Sequence, residues 1–229
     1  MRTIRITGTG SALPGRIVTN KELEQLVETS DEWIRERTGI AERHVSVGET
    51  VVTLASEAAR KALEQAGKRA EEIDLILVAT CSPEQYLPCC ACQVQAAVGA
   101  VNALAFDVNA ACSGFIYAAA AAHGLLNTLG GRYALVIGCE ALSRMVDPTD
   151  RTTCVLFGDG AGAAVFELAE NAPFAVTLGA RGSEAIRAAI PHRSRSTARL
   201  FSALPWRLCR AVCKPCWTAA KKHWLTWTG

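Results

Sequence analysis

The 229-residue chain has no Asp or Glu after Glu184, although it carries 22 acidic residues against 24 Lys and Arg. Residues 1–184 hold every acid and 15 of the basic residues, a net of −7, whereas residues 185–229 hold nine basic residues and no acid, a net of +9. The overall charge of +2 therefore hides two compositions joined near Glu184. No apolar run approaches the roughly 18 residues that a membrane span needs. MRTIRITGTG alternates like a strand and lacks the unbroken apolar stretch of a signal peptide, so a cytoplasmic location is expected. Gly8, Gly10 and Gly15 miss dinucleotide and phosphate-loop spacing, which favours a plain turn, and Gly158, Gly160 and Gly162 miss dinucleotide spacing, which favours close packing or special backbone angles.

Half of the residues are hydrophobic and one fifth are charged, as in a globular protein able to bury an ordinary core. Ten cysteines could suggest a disulfide framework, but Cys81, Cys139 and Cys154 lie in or beside apparent core strands, so reduced thiols are expected. Thr3 to Thr7 reads as a first strand, with GTGSALPG a turn-rich loop after it. Asn20 can cap a short helix whose Leu23, Leu26 and Val27 share a face, and Ser30 can cap a second with Asp31 and Glu32 in its first turn. Residues 50–66 have helical apolar spacing ended by Gly67. Ile73 to Thr80 and Tyr133 to Cys139 read as buried strands of a covered parallel sheet, with a short helix over 89–98. DPTDR is a polar loop, residues 154–168 read as two short strands around a glycine turn, and Ala175 to Gly179 as one more strand. Strands alternating with helices predict an α/β layered domain.

The stretch AFDVNAACSGFIYAAAAA, residues 105–122, predicts a short buried strand, a tight turn and a small-residue helix opening at Cys112. Unpaired N–H groups and the helix dipole favour a thiolate at such a start, making Cys112 a candidate nucleophile; a buried packing cysteine has the same local signature. Trp33 and Arg37 are four apart and share a helix face, which suits either a ligand platform or a core anchor with a solvated flank.

With these segments in order, residues 1–183 resemble the β-ketoacyl-acyl-carrier-protein synthase III family. The match is carried by GTGSALPG, TSDEWIRERTGIAERH at Thr29 to His44, ACQVQ at Ala91 to Gln95, FDVNAACSGF around Cys112, DPTDR, and FGDGAGAAV at Phe157 to Val165. The resemblance implies the N-terminal half of a thiolase-like layered α-β-α fold, and an acyltransferase and condensing enzyme of fatty-acid synthesis initiation. It implies that Cys112 takes an acyl group from acyl-CoA and that the thioester condenses with malonyl-acyl-carrier protein as carbon dioxide leaves. Thr29, Trp33, Arg37 and Arg151 would hold coenzyme A, with Trp33 and Arg151 stacking on adenine. Leu87, Leu142 and Phe157 would line the acyl pocket, Leu87 reaching in from a partner subunit of a homodimer. No metal or cofactor is implied beyond acyl-CoA as substrate, and neither nucleic acid nor membrane is an expected partner.

The family's catalytic His and Asn come from a second half that these segments do not match. His192 follows a proline without the rest of that motif, and His44 and His123 lie in other segments. The implied condensation should then be impaired even where Cys112 acylates. Two other classes stay open: another thiolase-like synthase, of hydroxymethylglutaryl-CoA or polyketide type, and a non-catalytic half-domain that binds CoA or pairs with an intact subunit. Residues 184–229 form a basic tail with four of the five Trp, expected to be disordered or read out of frame after a shift near Gly182 to Ile186. Cys209, Cys213, Cys216 and His223 in that tail have no recognised zinc spacing.

Overall fold

A computed structural model describes residues 2–179; the basic tail, His192 and the tail cysteines lie outside them. The chain runs β1 (Arg2–Ala12), β2 (Arg16–Thr19), α1 (Asn20–Leu23), α2 (Asp31–Thr38), β3 (Glu42–Val45), α3 (Val51–Ala66), β4 (Leu75–Ala79), α4 (Cys90–Val98), β5 (Leu104–Val108), α5 (Gly114–Leu129), β6 (Tyr133–Ala141), α6 (Arg151–Cys154) and β7 (Asp159–Glu170). Five strands form one sheet in the order β1-β7-β6-β4-β5, and β2 with β3 form a small antiparallel ribbon. β4 is parallel to both β5 and β6, while β7 is antiparallel to β6 and β1.

The layers follow from the apolar faces. Val51, Leu54, Ala55, Ala58, Ala59 and Ala62 of α3 are buried with Val94 of α4 against Ile76, Val78, Leu135 and Ile137 on one sheet face. Ala118, Ala119, Ala122 and Leu126 of α5 cover Leu75, Leu77, Ala134 and Val136 on the other. Alternation along β4 and β6 thus feeds two cores, and the central strands read as continuous apolar runs because both faces are covered. The expected α/β layered architecture is present, with a mixed sheet in place of a parallel one. Thr50 starts α3, its Oγ1 accepting from Thr53 N at 3.0 Å while Thr53 Oγ1 accepts from Thr50 N at 2.8 Å.

Several expectations require correction. GTGSA is not a loop: β1 continues to Ala12, because Gly8 and Gly10 are where the strand crosses α3. A side-chain carbon on Gly8 or Gly10 would stand 2.5 Å from the backbone nitrogen of Ala66 or Ala62. These glycines therefore serve close packing. Thr19, not Asn20, caps α1; Asn20 turns inward and donates to Asp31 Oδ1 (2.7 Å) and Ile40 O (2.8 Å). Leu26 is exposed, so the three-residue apolar face of the first helix does not form. Residues 154–168 are not two strands: α6 ends at Cys154 and a single strand runs from Asp159, since β7 must pair along both β6 and β1. Residues 175–179 join no ladder. The strand before Cys112 is not buried either, because β5 is a sheet edge, with Leu104 54% and Phe106 39% exposed.

One ion cluster ties β1, β6 and β7 together. Glu167, itself buried, accepts from Arg5 Nη2 at 2.7 Å and from Arg132 Nη2 at 2.8 Å. The hydrogen bond from Arg5, reinforced by Arg132, holds the Glu167 carboxyl below its ordinary value. A depressed folded-state pKa stabilises above the unfolded value near 4.5 and is lost as pH falls through the folded one. Chemical denaturation of Glu167→Gln should show a loss of about 1 kcal/mol at pH 7 that shrinks as pH falls below the carboxylate range; both arginines are more than half exposed, which keeps the figure small. A pH-independent difference would show that the charge is not the cause. In the same assay Gly10→Ala should cost about 3 kcal/mol through forced displacement of α3. Gly15→Ala, where nothing lies within 4 Å, should be near neutral, and equal effects would remove the close-packing account.

Candidate active site

Three parallel strands leave the sheet at one end. β4 delivers Thr80, Cys81 and Ser82; β5 delivers the turn holding Cys112; β6 delivers Glu140 and the turn Leu142–Arg144. The carboxyl end of parallel strands is where α/β folds place ligands, since the connecting loops there are free to diverge.

Cys112 sits in a single 3-10 turn, Ala111–Ser113, directly before α5, as the sequence predicts. The residue before it, Ala111, has φ +45°, a left-handed conformation that is strained for a non-glycine residue. The turn lifts Cys112 to the surface and leaves it exposed. A side-chain carbon on Gly114 would meet Ala79 Cβ at 3.0 Å, so glycine there lets the first turn of α5 press against the end of β4. Cys112 Sγ makes no side-chain hydrogen bond among the described residues. Cys81 shares its surroundings, and burial, followed by the Glu140 carboxylate, pushes the Cys81 thiol up to about 12. Of these two thiols, Cys112 is therefore the one exposed for reaction and Cys81 the one held protonated.

Carboxylates fix the loops around it. Glu140 accepts from Cys81 N (2.8 Å), Thr80 Oγ1 (3.3 Å) and, in a short bond, Ser82 Oγ. Ser82 Oγ accepts from Ala141 N at 2.8 Å, closing the link between β4 and β6. Asp159, buried, accepts from Ser46 N (2.7 Å), Ser143 N (2.8 Å) and Ser143 Oγ (2.6 Å), which holds the turn carrying Leu142. Sequence reasoning missed Glu140, Ser82 and Asp159. Their signal was weak: each is a polar residue beside an apolar run, and its partners lie up to 113 residues away.

Three of the four residues assigned to coenzyme A, Trp33, Arg37 and Arg151, come together on one ring. Ser30 caps α2 by accepting from Trp33 N at 3.1 Å, as predicted. Trp33 then receives two guanidinium groups, Arg37 at 4.6 Å and Arg151 at 4.2 Å from its ring centre. Arg151 reaches it from the first position of α6, whose cap is Asp150. Thr29 Oγ1 and Arg151 Nε are buried without a hydrogen-bond partner, as are Arg43 Nε, Ser46 Oγ and Ser56 Oγ. Buried polar atoms left unpaired are unfavourable, and each is a ready contact for a polar ligand.

Leu142 and Phe157 are half-buried, Leu142 at the end of β6 and Phe157 between α6 and β7. Leu87 is 86% exposed on the loop before α4. His44 is engaged with Pro14 O (2.6 Å) and His123, on α5, with Arg2 O (3.0 Å). Among the described residues no cluster of His, Cys, Asp and Glu is arranged to hold a metal ion, and no helix is long and apolar enough to cross a membrane.

Residues 106–182 match the family 3-oxoacyl-[acyl-carrier-protein (ACP)] synthase III. A β-ketoacyl-[acyl-carrier-protein] synthase III of Thioalkalivibrio sulfidiphilus is 54% identical over 172 residues, covering 75% of this chain and 53% of the relative. The crystal structure of 3-oxoacyl-[acyl-carrier-protein] synthase III from Aquifex aeolicus VF5 superposes with a TM-score of 0.71 at 48% identity, over 75% of this chain and 55% of that one. A priming β-ketosynthase of the R1128 polyketide pathway gives a TM-score of 0.71 at 39% identity, over 74% of this chain and 51% of that one. The chain thus spans about half the length of the curated relatives it matches. Its fold is the thiolase-like layered fold of these synthases, over their N-terminal half.

Proposed function

We propose that this chain carries the acyl-accepting half of a β-ketoacyl-acyl-carrier-protein synthase III acting in the cytoplasm, with Cys112 as nucleophile and acyl-CoA as donor. The observations that carry the reading are an exposed thiol on a strained strand-to-helix turn and a Trp33 ring that two guanidinium groups face, with Thr29 Oγ1 and Arg151 Nε buried and unpaired. The sulfur of Cys112 attacks the thioester carbonyl of acyl-CoA, CoA leaves as its thiol, and the acyl group remains as a new thioester on Cys112. In this reading the backbone N–H of Cys112 is the donor for the oxyanion formed on the way, since those of Ser113 and Gly114 are already bonded to Ala110 O and Ala111 O. Condensation with malonyl-acyl-carrier protein, with loss of carbon dioxide, is the step that follows in this reading.

Trp33 and Arg151 fit an adenine ring and its phosphates in different ways. The ring offers a flat apolar face, and Arg151 a guanidinium fork. The 4.2 Å contact leaves no room for a base between them, so Arg151 must swing off the ring for adenine to stack. Leu142 and Phe157 line the acyl pocket, and Leu87 serves the pocket of a second copy, which suits its exposure on an outlying loop. The fit to a priming polyketide ketosynthase leaves the pathway open between fatty-acid initiation and a specialised product.

Incubation of the full chain with acetyl-CoA and peptide mass spectrometry should place an acetyl group on Cys112, absent in Cys112→Ser. Trp33→Ala and Arg151→Ala should each weaken CoA binding about tenfold, or about 1.4 kcal/mol. CoA binding with an unmodified Cys112 would favour the reading as a non-catalytic CoA-binding half-domain, and neither binding nor transfer would defeat both.

A homodimer through β5 is part of the same proposal. This sheet edge has unpaired backbone groups and exposes Leu104 and Phe106, with Ile116 of α5 51% exposed, a combination that soluble monomers usually suppress. Sedimentation should show a dimer that Phe106→Lys shifts toward monomer; a monomeric parent chain at micromolar concentration would rule this edge out as the interface.

A further inference from the structure

The first turn of α4 holds a feature that acyl transfer does not use. Cys89 is the N-cap residue of this helix and Cys92 its third residue, and Cys89 Sγ donates to Cys92 Sγ at 3.4 Å. N-cap and third-residue side chains face each other across a helix start, the relation that a capping box exploits. Cys89 has no capping duty here. Asp107 of β5 takes it over, accepting from Cys90 N at 2.9 Å and from Ala91 N at 2.7 Å. Cys89 and Cys92 are half-buried, whereas Cys90 between them is buried.

We propose that Cys89 and Cys92 form a reversible disulfide by exchange with a low-molecular-weight disulfide, making the start of α4 a redox-modification site. A disulfide needs an S–S distance near 2.05 Å, so the two sulfurs must close by about 1.4 Å, within reach of side-chain rotation. Cys92 Sγ both accepts from Cys89 Sγ and donates to Ala105 O at 3.6 Å, whereas Cys89 Sγ makes only the first contact, which makes Cys89 the less held thiol and the attacking group. The contact with Cys89, then burial, raises the Cys92 thiol above its ordinary value, as suits the resolving partner.

The exchange balances in two steps. Deprotonated Cys89 attacks one sulfur of the small disulfide, forming a mixed disulfide and expelling the first small thiolate, which takes up the proton lost by Cys89. Cys92 then attacks the Cys89 sulfur, the second small thiolate leaves with the proton of Cys92, and the protein pair is oxidised by two electrons while the small disulfide is reduced. Intramolecular resolution is favoured because the second thiol is already in contact. Neighbouring thiols are poor competitors: burial pushes Cys81 and Cys90 each up to about 12, and Cys139 is buried with its Sγ on Val51 O at 3.3 Å. The pair lies between the loop carrying Leu87 and β5, which leads to Cys112, so oxidation would replace the thiol contact with Ala105 on that strand.

The test uses the full chain and glutathione disulfide as oxidant. Free thiols are alkylated with iodoacetamide in denaturant, disulfides are then reduced and labelled with N-ethylmaleimide, and fragment ions assign each label. Cys89 and Cys92 should change together from the first label to the second and revert after dithiothreitol, with Cys90→Ser behaving like the parent chain. In Cys92→Ser, Cys89 should retain a stable glutathione adduct, since its resolving partner is gone. Cys89 and Cys92 still carrying the first label, a bridge from Cys89 to Cys90 or Cys81, or no adduct on Cys89 in Cys92→Ser would each overturn the proposal. Acetylation of Cys112 is read separately, so either result leaves the acyl-transfer reading to its own test.

Discussion

Parallel pairing of β4 with both β5 and β6 obliges three segments of chain to leave the sheet at the same end. The chemistry of the molecule depends on that constraint. Parallel neighbours cannot be joined by a hairpin, so each return passes through a helix, and every loop at the carboxyl end is free for other use. One such loop becomes the turn with Ala111 in a left-handed conformation, which brings Cys112 to the surface at the mouth of α5. The strain is local, and it is opposed by a helix that is packed along most of its length against the sheet.

Charge is used around this end mainly to hold backbone. Asp107, Glu140 and Asp159 each accept from peptide N–H groups of a different segment, joining β5 to α4, β6 to the loop after β4, and β7 to both the β3 end and the Leu142 turn. A carboxylate bonded in this way replaces hydrogen bonds that the loops would otherwise make with water, so the loops can be positioned without regular structure. The contrast with Trp33, Thr29 and Arg151 is informative. There, polar atoms are buried and left without partners, and two cations crowd one aromatic ring.

The cysteines divide along the same lines. Cys90, Cys139 and Cys154 pack as small apolar groups, whereas Cys112 is exposed on its turn and Cys89 touches Cys92. Composition does not separate these roles, since all are cysteines beside apolar residues. Burial and the nearest acceptor do.

Much of the fold was legible in residue patterns. Helical periodicity located α3, unbroken apolar runs located β4 and β6, and Ser30 with two acids marked the start of α2. The stretch around Cys112 announced its own strand, turn and helix, because a short apolar run is followed by a long run of small, helix-favouring residues. These features are local, and local sequence fixes them through hydrogen-bond geometry and side-chain spacing. What tertiary structure alone decided was nonlocal. Gly8 and Gly10 were read as turn residues because glycine signals flexibility, until the crossing of α3 showed that they make room for a backbone. The glycines of residues 154–168 suggest two strands, but pairing on both sides keeps Asp159–Glu170 a single one. Arg151 reached Trp33 across more than a hundred residues, Glu140 reached Cys81, and β5 became an edge, none of which a single segment can encode. Such contacts arise only when separate elements compete for the same space, and that competition is settled by packing.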